Sequence, residues 1–137
     1  MSTESRKLAG LLLIIYPTVV IGGVSILSFL IHDPQYADNP LRQDLWRAGH
    51  AHAGVFLLLS LVILRYIDEA ILSETTKRFV RLAAPVSAIL LPVAFFFSML
   101  SPDAAEPNAV IYVAYLGAVV LTAGMVLLGV GLIRSAH

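Results

Sequence analysis

RAGHAHAGVFLLLSLVIL, residues 47–64, decides how the rest of the chain is read. After Arg47 it runs for 17 residues without an Asp, Glu, Lys or Arg. It carries two histidines, His50 and His52, near its start. A stretch of this length and polarity crosses a bilayer as a helix, because a helix satisfies its own backbone hydrogen bonds in hydrocarbon. Continuous apolarity without alternation argues against a strand.

Three further stretches share this character. Together they predict a single four-helix transmembrane domain over residues 1–137, with helices over about 8–31, 46–72, 78–100 and 108–133. They account for a composition that is 58% hydrophobic, with a mean hydropathy of +0.86. The first span exceeds a signal-peptide core and lacks a small-x-small cleavage site, so it is expected to be retained. The chain has no cysteine, which excludes disulfides, thiolate ligation, iron–sulfur clusters and covalent c-type haem attachment. Net charge is zero, and nucleic acid is not among the expected partners.

Charge distribution sets an expected orientation. Of nine Lys and Arg, Arg6, Lys7, Arg65, Lys77, Arg78, Arg81 and Arg134 fall at the termini or in the second connection, against Arg42 and Arg47 in the first. The positive-inside rule then places both termini in the cytoplasm and the histidines about one turn inside the outer interface. An integral, multi-pass protein of the cell's inner membrane is the expected localisation. Pro17 is expected to kink the first helix, and Gly22-Gly23 to admit a close neighbour. His32 to Leu45 reads as a solvated connection, with Tyr36 and Trp46 as interfacial anchors. Gly117, Gly124 and Gly131 form a heptad-spaced stripe that reads first as a packing face and second as a groove for a flat ligand.

Histidine inside a membrane span marks a functional site by default, with interhelical hydrogen bonding as the plainer alternative. Positions i and i+2 lie about 200° apart on a helix, so His50 and His52 cannot share one metal. No third ligand is nearby, which disfavours zinc and copper sites. One axial histidine on a haem needs no such cluster, since the porphyrin supplies the remaining ligands. Gly54 and the alanines at 48, 51 and 53 offer a low surface for a macrocycle. Arg42 and Arg47 read as solvated interfacial charges, with haem propionates as alternative partners. The Phe95–Phe97 run reads as core or lipid-facing bulk.

The chain resembles the styrene oxide isomerase family. The resemblance rests on Arg6-Lys7-Leu8-Ala9-Gly10, on Trp46 followed by Ala51-His52-Ala53-Gly54, on the position of Lys77, on Phe97-Ser98-Met99-Leu100-Ser101-Pro102-Asp103, and on Ala114-Tyr115-Leu116. It implies a small four-helix membrane enzyme with haem b on one axial histidine, His52, or His50 if the alignment starts from Trp46. It also implies a homotrimer with haem at subunit interfaces, which the glycine stripe would suit. The implied reaction uses ferric haem as a Lewis acid on an apolar aryl epoxide, with a hydride shift to an aldehyde. Two positions depart from the family. Its substrate-orienting tyrosine is Phe95 here, and its active-site asparagine is Leu58, or Phe56 if His50 is the ligand. A non-catalytic haem carrier, sensor or respiratory accessory subunit is the alternative expectation. A cofactor-free small transporter or lipid-binding protein is a third.

Overall fold

A computed structural model describes residues 1–136. It is all-helical among those residues, and four of its helical segments are long and apolar enough to cross a membrane. The first comprises α1 (Thr3–Ile15) and α2 (Pro17–His32). A short α3 (Pro34–Ala37) leads into α4 (Pro40–Tyr66), which tightens into a 3-10 turn at Ile67–Glu69. Then come α5 (Glu74–Phe97), a 3-10 turn at Ala109–Tyr112, and α6 (Val113–Ser135).

Local chemistry explains these limits. Ser2, Asn39 and Ser73 accept hydrogen bonds from the backbone N–H three residues on, capping α1, α4 and α5. Pro17 and Pro40 stand at first helical positions, where the missing N–H costs nothing. Pro17 breaks the first span at Tyr16 as expected, and Thr18 donates its hydroxyl to the Ile15 carbonyl there. Pro85 and Pro92 lie inside α5, which stays continuous. The third helix starts at Glu74, four residues before its expected start, because the Ser73 cap precedes the apolar stretch. The first connection is likewise shorter than expected. Asn39 begins α4 ahead of the apolar run, and Tyr36 is only 1% exposed rather than solvated.

Neighbouring helices run antiparallel. At one end the N-terminus, the Asp68–Arg81 segment and the C-terminal end of α6 meet. There Ile71 N–H donates to the Gly131 carbonyl, and Ser2 N–H to Asp68. At the other end Asn39 Nδ2 donates to the carbonyls of Pro102 and Ala104, joining the first and third connections. Helix α5 is central. Half of its apolar span is buried, against 22% for α4 and α6 and 6% for the first span. Packed between α4 and α6, it carries a core of Val80 and Ala84 against Ile63, Ile67 and Leu128.

Arg81, counted from sequence among the basic residues of the second connection, lies within α5 and is 4% exposed. Its guanidinium donates to Ser5 Oγ (3.2 Å), Glu4 Oε2 (3.1 Å) and Asp68 Oδ1 (2.8 Å). It thereby fastens α1, the end of α4 and α5 together.

The glycine stripe packs within the chain. A Cβ on Gly117 would stand 2.3 Å from Leu91 Cδ1, and one on Gly124 would stand 2.4 Å from Ala83 Cβ. One on Gly131 would stand 2.7 Å from Leu72 Cγ. The stripe is therefore occupied by α5 and its N-terminal approach, so it serves neither as a ligand groove nor as a face for another subunit. Ser87 adds a polar tie, its hydroxyl 2.8 Å from the Gly117 carbonyl. Replacing Gly124 with Leu is expected to force α5 and α6 apart at a cost on the order of 1–3 kcal/mol. Thermal unfolding in detergent checks this, and an unchanged melting temperature refutes close packing at Gly124.

Candidate functional site

The histidines lie one to two turns past Trp46 in α4, on different sides as their spacing requires. His50 faces α2. A Cβ on Gly23 would lie 2.9 Å from its Nε2, and one on Gly22 would lie 3.7 Å from its Nδ1. Gly22-Gly23 thus form the close approach expected from sequence, and the group they admit is an imidazole. His50 makes no hydrogen bond among the described residues.

His52 faces α5. Its ring stands 5.3 Å from Phe56 and 5.4 Å from Phe95, centroid to centroid, and these two aromatic groups fix its plane. Nδ1 lies 2.7 Å from the Ala48 carbonyl oxygen. A carbonyl can only accept, so Nδ1 carries a proton, and in the neutral tautomer that this requires Nε2 offers the lone pair. Beside the ring is a surface recess of about 180 Å³ lined by Ala51, His52, Val55 and Phe56. The imidazole is its one polar group. Gly49, one turn back, is what brings the helices close enough for this contact, since a Cβ there would stand 3.2 Å from Phe95 Cβ.

The other expected site residues are dispersed. Phe95 is at the site, in contact with His52. Leu58, six residues and about 240° round the helix from His52, is 49% exposed on an outer face. Gly54 faces Val19 on the His50 side, where a Cβ would make an ordinary 3.4 Å contact. Arg47 is solvated and pairs with Asp44 at 2.7 Å. Phe97 is exposed, and Phe96 packs edge-on against Trp46. His137 lies outside the described residues. No group of three or more metal-ligating side chains occurs among the described residues.

Arg42 corrects an expectation. It is 8% exposed, with its guanidinium over the Trp46 ring (4.3 Å), and Nη2 donates to the Leu100 carbonyl. Desolvation favours this cation–π contact, since the ring face replaces lost water. Tyr36, Trp46 and Phe29 complete the cluster with centroids 5.5–6.1 Å apart. Burial pushes the Tyr36 phenol above its ordinary pKa, against the pull of Arg47 and Arg42.

Sequence reasoning missed Arg81, Gly49 and the Ala48 carbonyl. The first looked like a loop charge, and the second stood among other small residues with nothing to single it out. The third is a backbone atom, yet the i−4 relation to His52 could have found it. No family model, curated protein or solved structure matches the chain.

Proposed function

We propose that the chain is a membrane haem b protein with His52 Nε2 as the single axial ligand, similar to the styrene oxide isomerases. One observation carries the proposal, the Nδ1–H bond to the Ala48 carbonyl. Metal-bound imidazoles characteristically donate their second ring N–H to a carbonyl or carboxylate, which fixes the tautomer and raises ligand basicity. His52 already holds that arrangement, with its free nitrogen beside an open apolar recess. His50 is favoured less, because helix packing against Gly23 occupies its ring.

These residues divide the work of holding the group. Phe56 and Phe95 keep the imidazole plane, while Ala51 and Val55 keep the flank low. Arg47 is the cation available for an acidic substituent, because its exposed pair with Asp44 is weak enough to exchange. Arg42 is committed to Trp46 and Leu100. A recess of 180 Å³ is below the ~300–1,000 Å³ of sites that enclose even a drug-sized ligand. The recess alone does not enclose a haem, and in this reading a second copy of the chain supplies the remaining wall, as in the trimer that the resemblance implies. When bound, ferric haem would supply a Lewis acid for rearranging an apolar aryl epoxide to an aldehyde. Substituting His52→Ala is expected to abolish the Soret band of purified protein, and His50→Ala to retain it. Full haem in both variants would overturn the assignment.

The non-catalytic carrier or sensor is a second reading, favoured by the recess having no polar side chain besides His52 in its lining. Phe95 has no hydroxyl to orient an epoxide oxygen, and losing a positioned donor costs ~10²–10³ in rate. Haem-loaded protein is therefore expected to make phenylacetaldehyde from styrene oxide slowly, and faster as Phe95→Tyr. No turnover by either form favours the carrier. Fast turnover by the unmodified protein shows that the Phe95 argument is wrong.

We also infer a cytoplasmic location for both termini. The end of the bundle where they meet carries seven of the nine basic residues. Alkaline phosphatase fused at the C-terminus is expected to be inactive, and fused within Asp33–Asn39 active. The opposite pattern reverses the orientation.

A further inference from the structure

The chain buries two arginines and treats them differently. Arg81 has Asp68, Glu4 and Ser5 around its guanidinium. Arg42, at the other end of the bundle, is 8% exposed and takes part in no ion pair among the described residues. Its Nη2 donates to the Leu100 carbonyl at 3.3 Å, and its Cζ stands 4.3 Å from the Trp46 ring centre. A carbonyl and a ring face ease the desolvation of a cation, but neither carries a countercharge. The nearest carboxylate in sequence, Asp44, is spent on Arg47.

Arg42 Nε is also one of three buried side-chain polar atoms that lack a hydrogen-bond partner among the described residues. The others are the Tyr36 hydroxyl and Trp46 Nε1. All three belong to one cluster. The Tyr36 and Trp46 ring centroids are 5.5 Å apart, and the Arg42 Cζ is 6.0 Å from the Tyr36 centroid. Orphaned buried groups are rare in native proteins, and each calls for a missing partner or a functional role. A guanidinium N–H and an indole N–H can only donate. Tyr36 is 1% exposed, and burial holds its phenol above the ordinary pKa, so it keeps its proton and can donate as well. What the cluster lacks is an acceptor, and what Arg42 lacks is a negative charge. One anion answers both.

Size narrows its identity. The three atoms are sealed from solvent, so a phosphate or a lipid head group would have to prise the cluster apart. Phe29 packs on both rings from the end of α2 and is itself 41% exposed, so a monatomic ion can enter by movement of that one side chain. A neutral water would occupy the donors and leave the charge uncompensated.

We propose that Arg42, Tyr36 and Trp46 bind one small monovalent anion of the halide class, held by the Nε–H, O–H and Nε1–H groups and covered by Phe29. The anion does for this end of the bundle what Asp68 and Glu4 do for the other, neutralising a guanidinium on which separate segments converge. The site is distinct from the His52 recess and does not depend on haem.

The experiment moves the full chain, in dodecyl maltoside, from sodium gluconate into sodium bromide or sodium chloride at constant ionic strength. Trp46 is the one tryptophan of the chain, and bromide beside its indole is a heavy-atom quencher. Saturable loss of emission is expected, reversed by chloride. Chloride is also expected to raise the melting temperature above that in gluconate, as linkage requires. Tyr36→Phe should weaken the half-saturation point by about tenfold, as loss of one hydrogen bond predicts. Arg42→Gln should abolish saturation, and Arg134→Gln, at the far end, should leave it unchanged. Circular dichroism and gel filtration establish that the variants fold, and if Arg42→Gln does not, Tyr36→Phe carries the test. Repeating the titration on His52→Ala keeps its outcome separate from the haem assignment. Unsaturable quenching with equal melting temperatures in gluconate and chloride overturns the proposal and makes the missing partner a water. Saturation unaffected by Tyr36→Phe and Arg42→Gln places the anion elsewhere and overturns it too.

Discussion

A guanidinium buried where three helices meet is the constraint from which the rest of this molecule follows. Arg81 is nearly sealed from solvent, and it is tolerable there only because Asp68, Glu4 and Ser5 each take one of its protons. Such a cation gives little net stability compared with a well-packed apolar group, yet removing its partners is strongly destabilising because the charge is left unpaired. Its value is therefore in what it forbids. With α1, the foot of α4 and the start of α5 converging on one planar, directional group, these helices cannot slide or rotate past one another. In lipid, where apolar side chains gain nothing by preferring protein over bilayer, such directional ties and close packing determine arrangement.

Close packing supplies the second half. α6 approaches α5 along glycines at 117, 124 and 131, none of which leaves room for a methyl group against its neighbour. Gly49 makes a similar though looser approach between α4 and α5, a Cβ there standing 3.2 Å from Phe95, and so seats Phe95 against His52. The position of the candidate ligand is thus set by a glycine one turn away, and the ring is held by aromatic neighbours and by the backbone of its own helix.

The four long apolar helices were legible because a length and a polarity suited to crossing a bilayer stand out in sequence. The opposed faces of His50 and His52 were legible because helical periodicity leaves no choice. The Gly22-Gly23 approach could be read, but its partner could not, since nothing local names which helix comes near. Arg42 and Arg81 were misjudged for one shared reason. A basic residue at a helix end looks alike whether it snorkels to water or turns inward, and the difference lies in distant groups, the Trp46 face for one and Asp68 with Glu4 for the other. Helix boundaries shifted towards their caps because hydrogen-bonding side chains start helices before hydrophobicity announces them.

The pinned first span has a consequence for how the chain is made. At its N-terminal end its partners lie far along the sequence, with Arg81 separated from Ser5 by 76 residues. That end of the span is therefore synthesised well before Asp68 and Arg81, the groups that hold it. The span is long and apolar enough to cross a membrane by itself, and its interruption at Pro17 leaves it compliant meanwhile. A segment made before its partners is thus fixed only after them, and the arrival of Arg81 is the event that ends its wandering.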